Sequence, residues 1–355
     1  MSYKQVSNDN YNFTNPTIIS LFDTHPPELL YFAAACCIFF VVIGVLGNII
    51  TIIALLKSRR LRNATSAFII NLCTADGLYC VFTIPLVTSI FIYRTWTYHG
   101  FLCMIYPLIR YSNSIVSVLT IIAITINRYI IIVYPKSYSK FYSKISVSII
   151  IACIWLVSFL VWMPTGLGVW RKFEFNSEIG TCTTIDVNGK SFRNFLFIIT
   201  IGILAFPTLV IAFCYSKILW IVRKFQKNLR YGQQPMSKKD KILCNNLNCF
   251  QVNRETLEIE VKLKSSSDLK LLKMIIVIYL TFLFCYIPLL SVNFFKEHKN
   301  PPVLNIIYSI GYFLAGYINP IIYALMDTEY RKAYKDLFSC NKTTNTNSET
   351  IVTRL

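Results

Sequence analysis

Negative charge and catalytic side chains are what this chain has least of. Of its 355 residues only 17 are Asp or Glu and three are His, against 35 Lys and Arg. His25, His99 and His298 all fall in polar tracts outside the apolar runs. No His-Glu-x-x-His and no Ser/His/Asp arrangement stands out, so a metallohydrolase or an intramembrane enzyme has no visible catalytic set. Charged residues are 15% of the chain and hydrophobic ones 55%, too apolar a balance for a soluble globular protein of this size. Internal repeats are lacking, and so are charges spread over several apolar runs. A channel or transporter, the alternative reading for such a chain, usually shows one or the other. The net charge of +18 points to nucleic acid only in a soluble protein. Beside a membrane, basic residues first report which side a loop is on, so nucleic acid is not an expected partner.

What is present is a set of seven apolar runs, near 29–56, 66–93, 101–134, 145–169, 194–225, 268–295 and 302–326. Each is about long enough to cross the ~30 Å hydrocarbon layer as a helix. The polar tracts 57–63, 128–144, 217–273 and 327–355 hold 26 of the 35 basic residues, which places them inside the cell. The expected protein is an all-α, seven-transmembrane helical bundle in the plasma membrane, with its N-terminus extracellular and its C-terminus cytoplasmic. Residues 1–28 read as an extracellular tail without the short apolar core of a cleaved signal, and the first run is the expected insertion signal. Residues 29–326 form the bundle. The basic, serine-containing tract at about 226–267 is expected to be disordered. Residues 327–340 place apolar side chains at helical spacing among basic ones and read as a short amphipathic helix on the inner leaflet, followed by a tail over 341–355.

The third run organises the rest. From Cys103 to Arg128, 25 residue steps along a helix, the chain rises about 38 Å, with a cysteine at its outer end and an arginine at its inner end. Arg110, Asn113, Ser117 and Thr120 fall on one face, and such a polar stripe must turn inward from lipid. Asp76, within the second run, reads either as a structural knot with Asn48 or as a cation site. In the second reading it shares oxygen donors suited to sodium with Asn113, Ser117 and Asn319. No other cofactor is expected. Cys103 and Cys182 are lone cysteines on the oxidising outer side, so one disulfide is expected between them. Seven cysteines (36, 37, 73, 80, 153, 214 and 285) lie within the runs as packing residues. Cys244 and Cys249 lack histidine neighbours and are weak evidence for zinc.

Asn12 begins a glycosylation sequon on the outer side, Cys340 is a palmitoylation candidate, and Thr353-Arg354-Leu355 matches a PDZ ligand. Arg110 lies about 10 Å below Cys103 along the helix, a depth at which an unpaired cation costs a few kcal/mol. Three answers are open to it: water reached by snorkelling, the outer-loop acids Glu174, Glu178 and Asp186, or the anionic group of a ligand whose lipid-like or aromatic body meets Tyr111, Tyr286 and Phe294.

Taken together, Asn48, Asn71-Leu-x-x-Ala-Asp76, Cys103, Asn127-Arg128-Tyr129, Trp155, Cys182, Pro207, Pro288 and Asn319-Pro320-x-x-Tyr323 make the chain resemble a rhodopsin-like (class A) G-protein-coupled receptor over nearly all of residues 30–340. Leu108-Ile-Arg110-Tyr111-Ser-Asn113 and Pro164-Thr-Gly-Leu167-Gly-x-Trp170 are similar to the insect Trapped-in-endoderm and Moody group. Melatonin receptors, which also carry Asn-Arg-Tyr, are a more distant match. The resemblance implies a heterotrimeric G protein as partner, with arrestin and a kinase acting through Ser/Thr of the inner loop and tail. It implies activation through Arg128 with Tyr129, a packing hinge of Pro207, Val118 and Phe282, the span 6 Pro288, and inner re-pairing of Asn319, Tyr323 and Tyr215. It also implies a role in cell migration or barrier formation. Two positions depart from the family: Asn127 stands where most members have an acid, so Asp268 is the expected charge partner of Arg128, and Tyr286 stands where Trp is usual.

Overall fold

The computed structural model describes residues 26–98, 100–169, 171–176, 180–186, 193–232, 270–287 and 302–339. Among them are seven helices long and apolar enough to cross a membrane. The first is α1 (Pro27–Lys57). The second crossing is α2 (Ala64–Leu78), a π turn over Tyr79–Thr83, and α3 (Ile84–Tyr93). Pro85 explains the π turn: it brings no N–H and its ring presses on the turn before it, which the wider turn relieves. The third crossing is α4 (Gly100–Val133). The short α5 (Tyr138–Phe141) leads to α6 (Lys144–Leu160) and α7 (Met163–Gly166). Beyond them lie α8 (Arg193–Gly232), α9 (Lys270–Ile287), α10 (Pro302–Met326) and α11 (Thr328–Phe338).

Local sequence sets the ends. Asn63, Ser143 and Asp327 cap α2, α6 and α11 by accepting from the backbone N–H of Ser66, Ser146 and Glu329, each such cap being worth about 1 kcal/mol. The chain was expected to lose order near residue 226, but α8 continues to Gly232. The run Lys224-Phe-Gln-Lys-Asn-Leu-Arg consists mostly of helix formers, and glycine then stops it.

The bundle is built around α4, which has 61% of its apolar stretch buried against 22% for the peripheral α6. Two large buried clusters fill most of it. The inner one joins Phe68, Leu72, Ile121, Ile218, Ile275 and Tyr323. The outer one joins Leu30, Tyr79, Ile84, Tyr106, Tyr312 and Phe313. Large apolar side chains such as Phe32, Phe39, Leu46, Leu156 and Phe284 are exposed, as a lipid-facing surface requires. Two glycines permit the tightest contacts: a Cβ on Gly44 would run into the Cys80 sulfur, and one on Gly316 would lie 2.9 Å from Tyr79 Cδ1. Asn48 donates to the carbonyls of both glycines, at 2.9 and 3.0 Å. It therefore ties α1 to α10 and is not the partner of Asp76.

Over the outer mouth lies a hairpin of β1 (Arg171–Asn176) and β2 (Thr181–Asp186), antiparallel, with Phe175 facing Cys182. Cys103 and Cys182 form a disulfide with Cα atoms 5.2 Å apart, which pins β2 to the outer end of α4. The bridge closes a segment of 79 residues, and a loop of that size is held at a gain of about 4 kcal/mol. Cys182→Ala should therefore lower surface expression several-fold and add a titratable thiol. Unchanged expression with the same thiol count would show that the bridge does not form.

Candidate functional site

The polar residues of the bundle gather at three depths. In the outer half, Arg110 points into the bundle from α4. Its Nη1 donates to the Tyr106 hydroxyl at 2.9 Å, and its Cζ lies 5.0 Å above the Tyr312 ring and 5.9 Å from that of Tyr106. Its Nε is enclosed and makes no hydrogen bond. Among the described residues no carboxylate forms an ion pair with it; Glu174 is taken by Lys172 at 2.8 Å. Glu178 and the side chain of Asp186 lie outside the described residues. Among the described residues, its charge is met by the Tyr106 phenol and by aromatic faces, the latter a cation–π attraction of about 2 kcal/mol when desolvated.

The expected set around Arg110 is only partly together. Tyr286 is close, through Tyr312: the two rings are 4.8 Å apart. Tyr111 is not. Its ring stacks on Trp162 at 4.8 Å, and its hydroxyl meets Thr183 of β2 at 2.9 Å. Neighbours in a helix sequence point about 100° apart, so Arg110 and Tyr111 cannot share a face; Tyr111 anchors the hairpin instead. Phe294 lies outside the described residues.

At mid-depth, Asp76 accepts from Asn319 Nδ2 at 2.6 Å and from Ser117 Oγ at 3.5 Å. Asn113 Oδ1 is buried without a partner. These four side chains, with Tyr286 and Tyr312, line a cavity. The space open to the centres of water molecules is about 30 Å³, room for two or so small occupants. An orphan carbonyl oxygen, a carboxylate and a hydroxyl converging on such a space make a donor set that fits a hard monovalent cation. Nearby, Asn71 joins three crossings, donating to Thr120 Oγ1 and accepting from Trp155 Nε1, both at 2.8 Å.

At the inner end of α4, Arg128 Nη2 donates to the Thr65 hydroxyl. Thr65 in turn donates to Asn127 Oδ1 at 2.7 Å, and Asn127 Nδ2 reaches the Tyr138 hydroxyl at 3.4 Å. Where an acid is usual, a neutral relay joins Arg128, Asn127 and the inner loop. Burial of the neighbouring Tyr142 phenol pushes its pKa up to about 12, so it stays protonated at neutral pH. Tyr215 donates to the Leu272 carbonyl at 3.3 Å, joining α8 to α9. Tyr323 is buried, its ring 5.6 Å from that of Tyr330 in α11. Tyr129 packs near Phe213, and Phe282 stacks on Tyr286 at 4.0 Å. Pro320 lies inside α10, where its ring approaches Gly47.

Asp268, Pro288, Asn12, Cys340 and Thr353-Arg354-Leu355 lie outside the described residues. The residues that sequence reasoning passed over are Tyr79, Tyr106, Ser114, Tyr312, Thr65 and Tyr138. For Ser114 a signal existed: it lies four residues after Arg110, on the polar face. For Thr65 none did, since its partner is 63 positions away. Thr65→Val should lower the thermal midpoint by several degrees, because it strips a donor and an acceptor from buried groups at about 1–3 kcal/mol each. Thr65→Ser should retain most of it. A Val variant as stable as the parent would remove the relay from the account.

Comparison with known proteins follows this geometry. Residues 47–323 match the model of the family described as "7 transmembrane receptor (rhodopsin family)". The chain is 36% identical to "Protein trapped in endoderm-1" of Drosophila melanogaster, over 90% of this chain and 80% of the relative. It is 33% identical to "G-protein coupled receptor moody" of the same fly, over 92% of this chain. The chain spans 57% of that relative's length and 53% of its Drosophila pseudoobscura counterpart. A "Melatonin receptor type 1B-B" of Danio rerio is 27% identical over 85% of this chain and 80% of its own length. The crystal structure of squid rhodopsin superposes with a TM-score of 0.72 at 23% identity, covering 91% of this chain and 90% of that one; it shares the fold. Family membership sets aside the channel and transporter alternative. The chain belongs to the rhodopsin family of seven-transmembrane receptors.

Proposed function

We propose that this chain is a cell-surface receptor that reports an extracellular ligand to a heterotrimeric G protein, with its N-terminus outside and its C-terminus inside. Family membership and the position of Arg128 at the inner end of α4 support the coupling. The ligand enters beneath the hairpin pinned by Cys103–Cys182 and carries an anionic group for Arg110. One observation carries this last reading: a guanidinium enclosed by Tyr106 and Tyr312, with a free Nε and no ion pair among the described residues. An acid of the ligand would meet its side-on edge as a bidentate pair. Tyr286, Phe294 and the phenols around Arg110 suit a lipid-like or aromatic body.

Ligand binding then acts as a population shift, favouring whichever arrangement of α8, α9 and α10 it binds more tightly. Pro207, Val118 and Phe282 form the packing hinge, with Pro288 in the same span as Phe282. Tyr215, Asn319, Pro320 and Tyr323 rearrange toward the inner side, and Arg128, with Tyr129 beside it, is released from Thr65 and Asp268 toward the G protein. Basic inner loops add electrostatic steering and contact with anionic lipid. Arrestin and a kinase acting on tail and inner-loop Ser/Thr, a PDZ partner at Thr353-Arg354-Leu355, glycosylation of Asn12 and palmitoylation of Cys340 belong to the same reading. So does a role in cell migration or barrier formation.

Asp76, Asn113 and Ser117 would hold a sodium ion, whose charge offsets the buried carboxylate.

Arg110→Ala should lower agonist potency more than tenfold while surface expression holds. Arg110→Lys should recover only part of it, because a point charge does not replace a planar fork. Normal potency of the Ala variant would overturn the anionic-ligand reading. For the ion site, replacing choline by sodium should raise the thermal midpoint of the purified receptor, and Asp76→Asn should abolish that rise. A parent protein indifferent to the cation would leave Asp76 a structural knot with Asn319.

A further inference from the structure

Three hydroxyls from three crossings meet at one point. Tyr286 of α9 donates to Ser114 Oγ of α4 at 2.8 Å. The Tyr312 hydroxyl of α10 lies 3.1 Å from the same Oγ, and Ser114 Oγ is 3.1 Å from the Arg110 carbonyl. One arrangement of protons satisfies all of them: Ser114 gives its single proton to the Arg110 carbonyl and accepts from both tyrosines, filling both lone pairs. Ser114 and Tyr312 are buried, and hydrogen bonds are stronger in such surroundings than in water. The rings add to the contact: Tyr286 stacks on Phe282 at 4.0 Å and meets Tyr312 edge-on at 4.8 Å.

This cluster has a particular place among the ties of α9. Between described residues, the other side-chain hydrogen bonds of α9 run to α8, from Tyr279 to Thr208 and Leu204 and from Tyr215 to the Leu272 carbonyl. The bond that fastens α9 to α4 comes from Tyr286, and α10 joins the cluster through the Tyr312 hydroxyl on Ser114 and the edge-on contact of the Tyr312 ring. Among the described residues, this cluster is a point at which α9 can be let go from α4 and α10. Arg110 stands over that point, its guanidinium 5.0 Å from the centre of the Tyr312 ring.

We propose that Tyr286, Ser114 and Tyr312 form a hydroxyl latch that holds α9 against α4 and α10, and that Arg110 braces it through the Tyr312 ring. Residues of the latch are positioning residues: they act on α9 and need not touch the ligand. The latch itself stands independently of the anionic-ligand reading. The brace rests on it, since an acid that draws the guanidinium off Tyr312 loosens the cluster and frees α9.

The test is hydrogen–deuterium exchange over residues 270–278 of the full-length receptor in detergent, which needs neither ligand nor G protein. Tyr286→Phe and Ser114→Ala should each speed uptake there several-fold. The double variant should be no faster than either single one, because both remove the same bond. Arg110→Ala should give a smaller increase. Tyr111→Phe, which loses only its contact with the hairpin, should leave α9 unchanged. Basal nucleotide exchange on a reconstituted G protein should rise about threefold in the two latch variants. Unchanged uptake in both single variants, or an additive double variant, overturns the latch, and unchanged uptake in Arg110→Ala overturns the brace. Faster uptake with no nucleotide exchange by any variant or by the parent upholds the latch and overturns the coupling reading instead.

Discussion

Water does not reach the middle of a bilayer, so every polar side chain placed there must be answered by another group of the protein or by something bound to it. Most of this structure follows from that constraint. Asn48 is answered by two glycine carbonyls, Asn71 by Thr120 and Trp155, and Asp76 by Asn319 and Ser117. Each answer joins two or three helices, so the need to satisfy a polar group fixes which helices touch and in what register. Lipid-facing side chains carry no such information, because lipid is as apolar as they are.

The same constraint sorts the two arginines of α4. Arg128 sits near the inner surface and is answered by neutral hydroxyl chemistry from Thr65. An amide at Asn127 passes that bond on to Tyr138 of the inner loop. The guanidinium makes the bond to Thr65 charge-assisted, and Asn127 carries the contact onward through neutral groups. Arg110 lies deeper and, among the described residues, is answered by aromatic faces and one phenol. Its enclosure and its Nε without a hydrogen bond are the observations on which the proposed anionic ligand rests.

Much of this was legible in the sequence. Seven apolar runs and the basic bias of alternate tracts announce the bundle, because bilayer thickness fixes helix length and leaves a strong compositional mark. Cys103 and Cys182 were readable because each is alone in its outer segment. The polar face Arg110, Asn113, Ser117 was readable from helical spacing. What was not readable were partners set by tertiary packing. Tyr111 looked like a neighbour of Arg110 because the two adjoin in sequence, but adjacency in a helix separates side chains. Asn48 looked like a partner for Asp76 because both are polar and mid-span, but close approach at Gly44 and Gly316 gave it backbone carbonyls instead. With 22 tyrosines in the chain, no pattern singles out Tyr286 and Tyr312 as the pair that meets Ser114. The helical extension to Gly232 was missed because a basic, polar run resembles disorder when helix propensity is set aside.

The claim on which this account turns is that a ligand supplies the negative charge that Arg110 lacks. The most direct measurement is an agonist screen on the receptor reconstituted in bilayer discs with a G protein, using extracellular acids, their methyl esters and chain-matched amines, read as nucleotide exchange. The account predicts that activators fall among the acids and lose activity on esterification. An amine or ester that activates as well as the matching acid would contradict it.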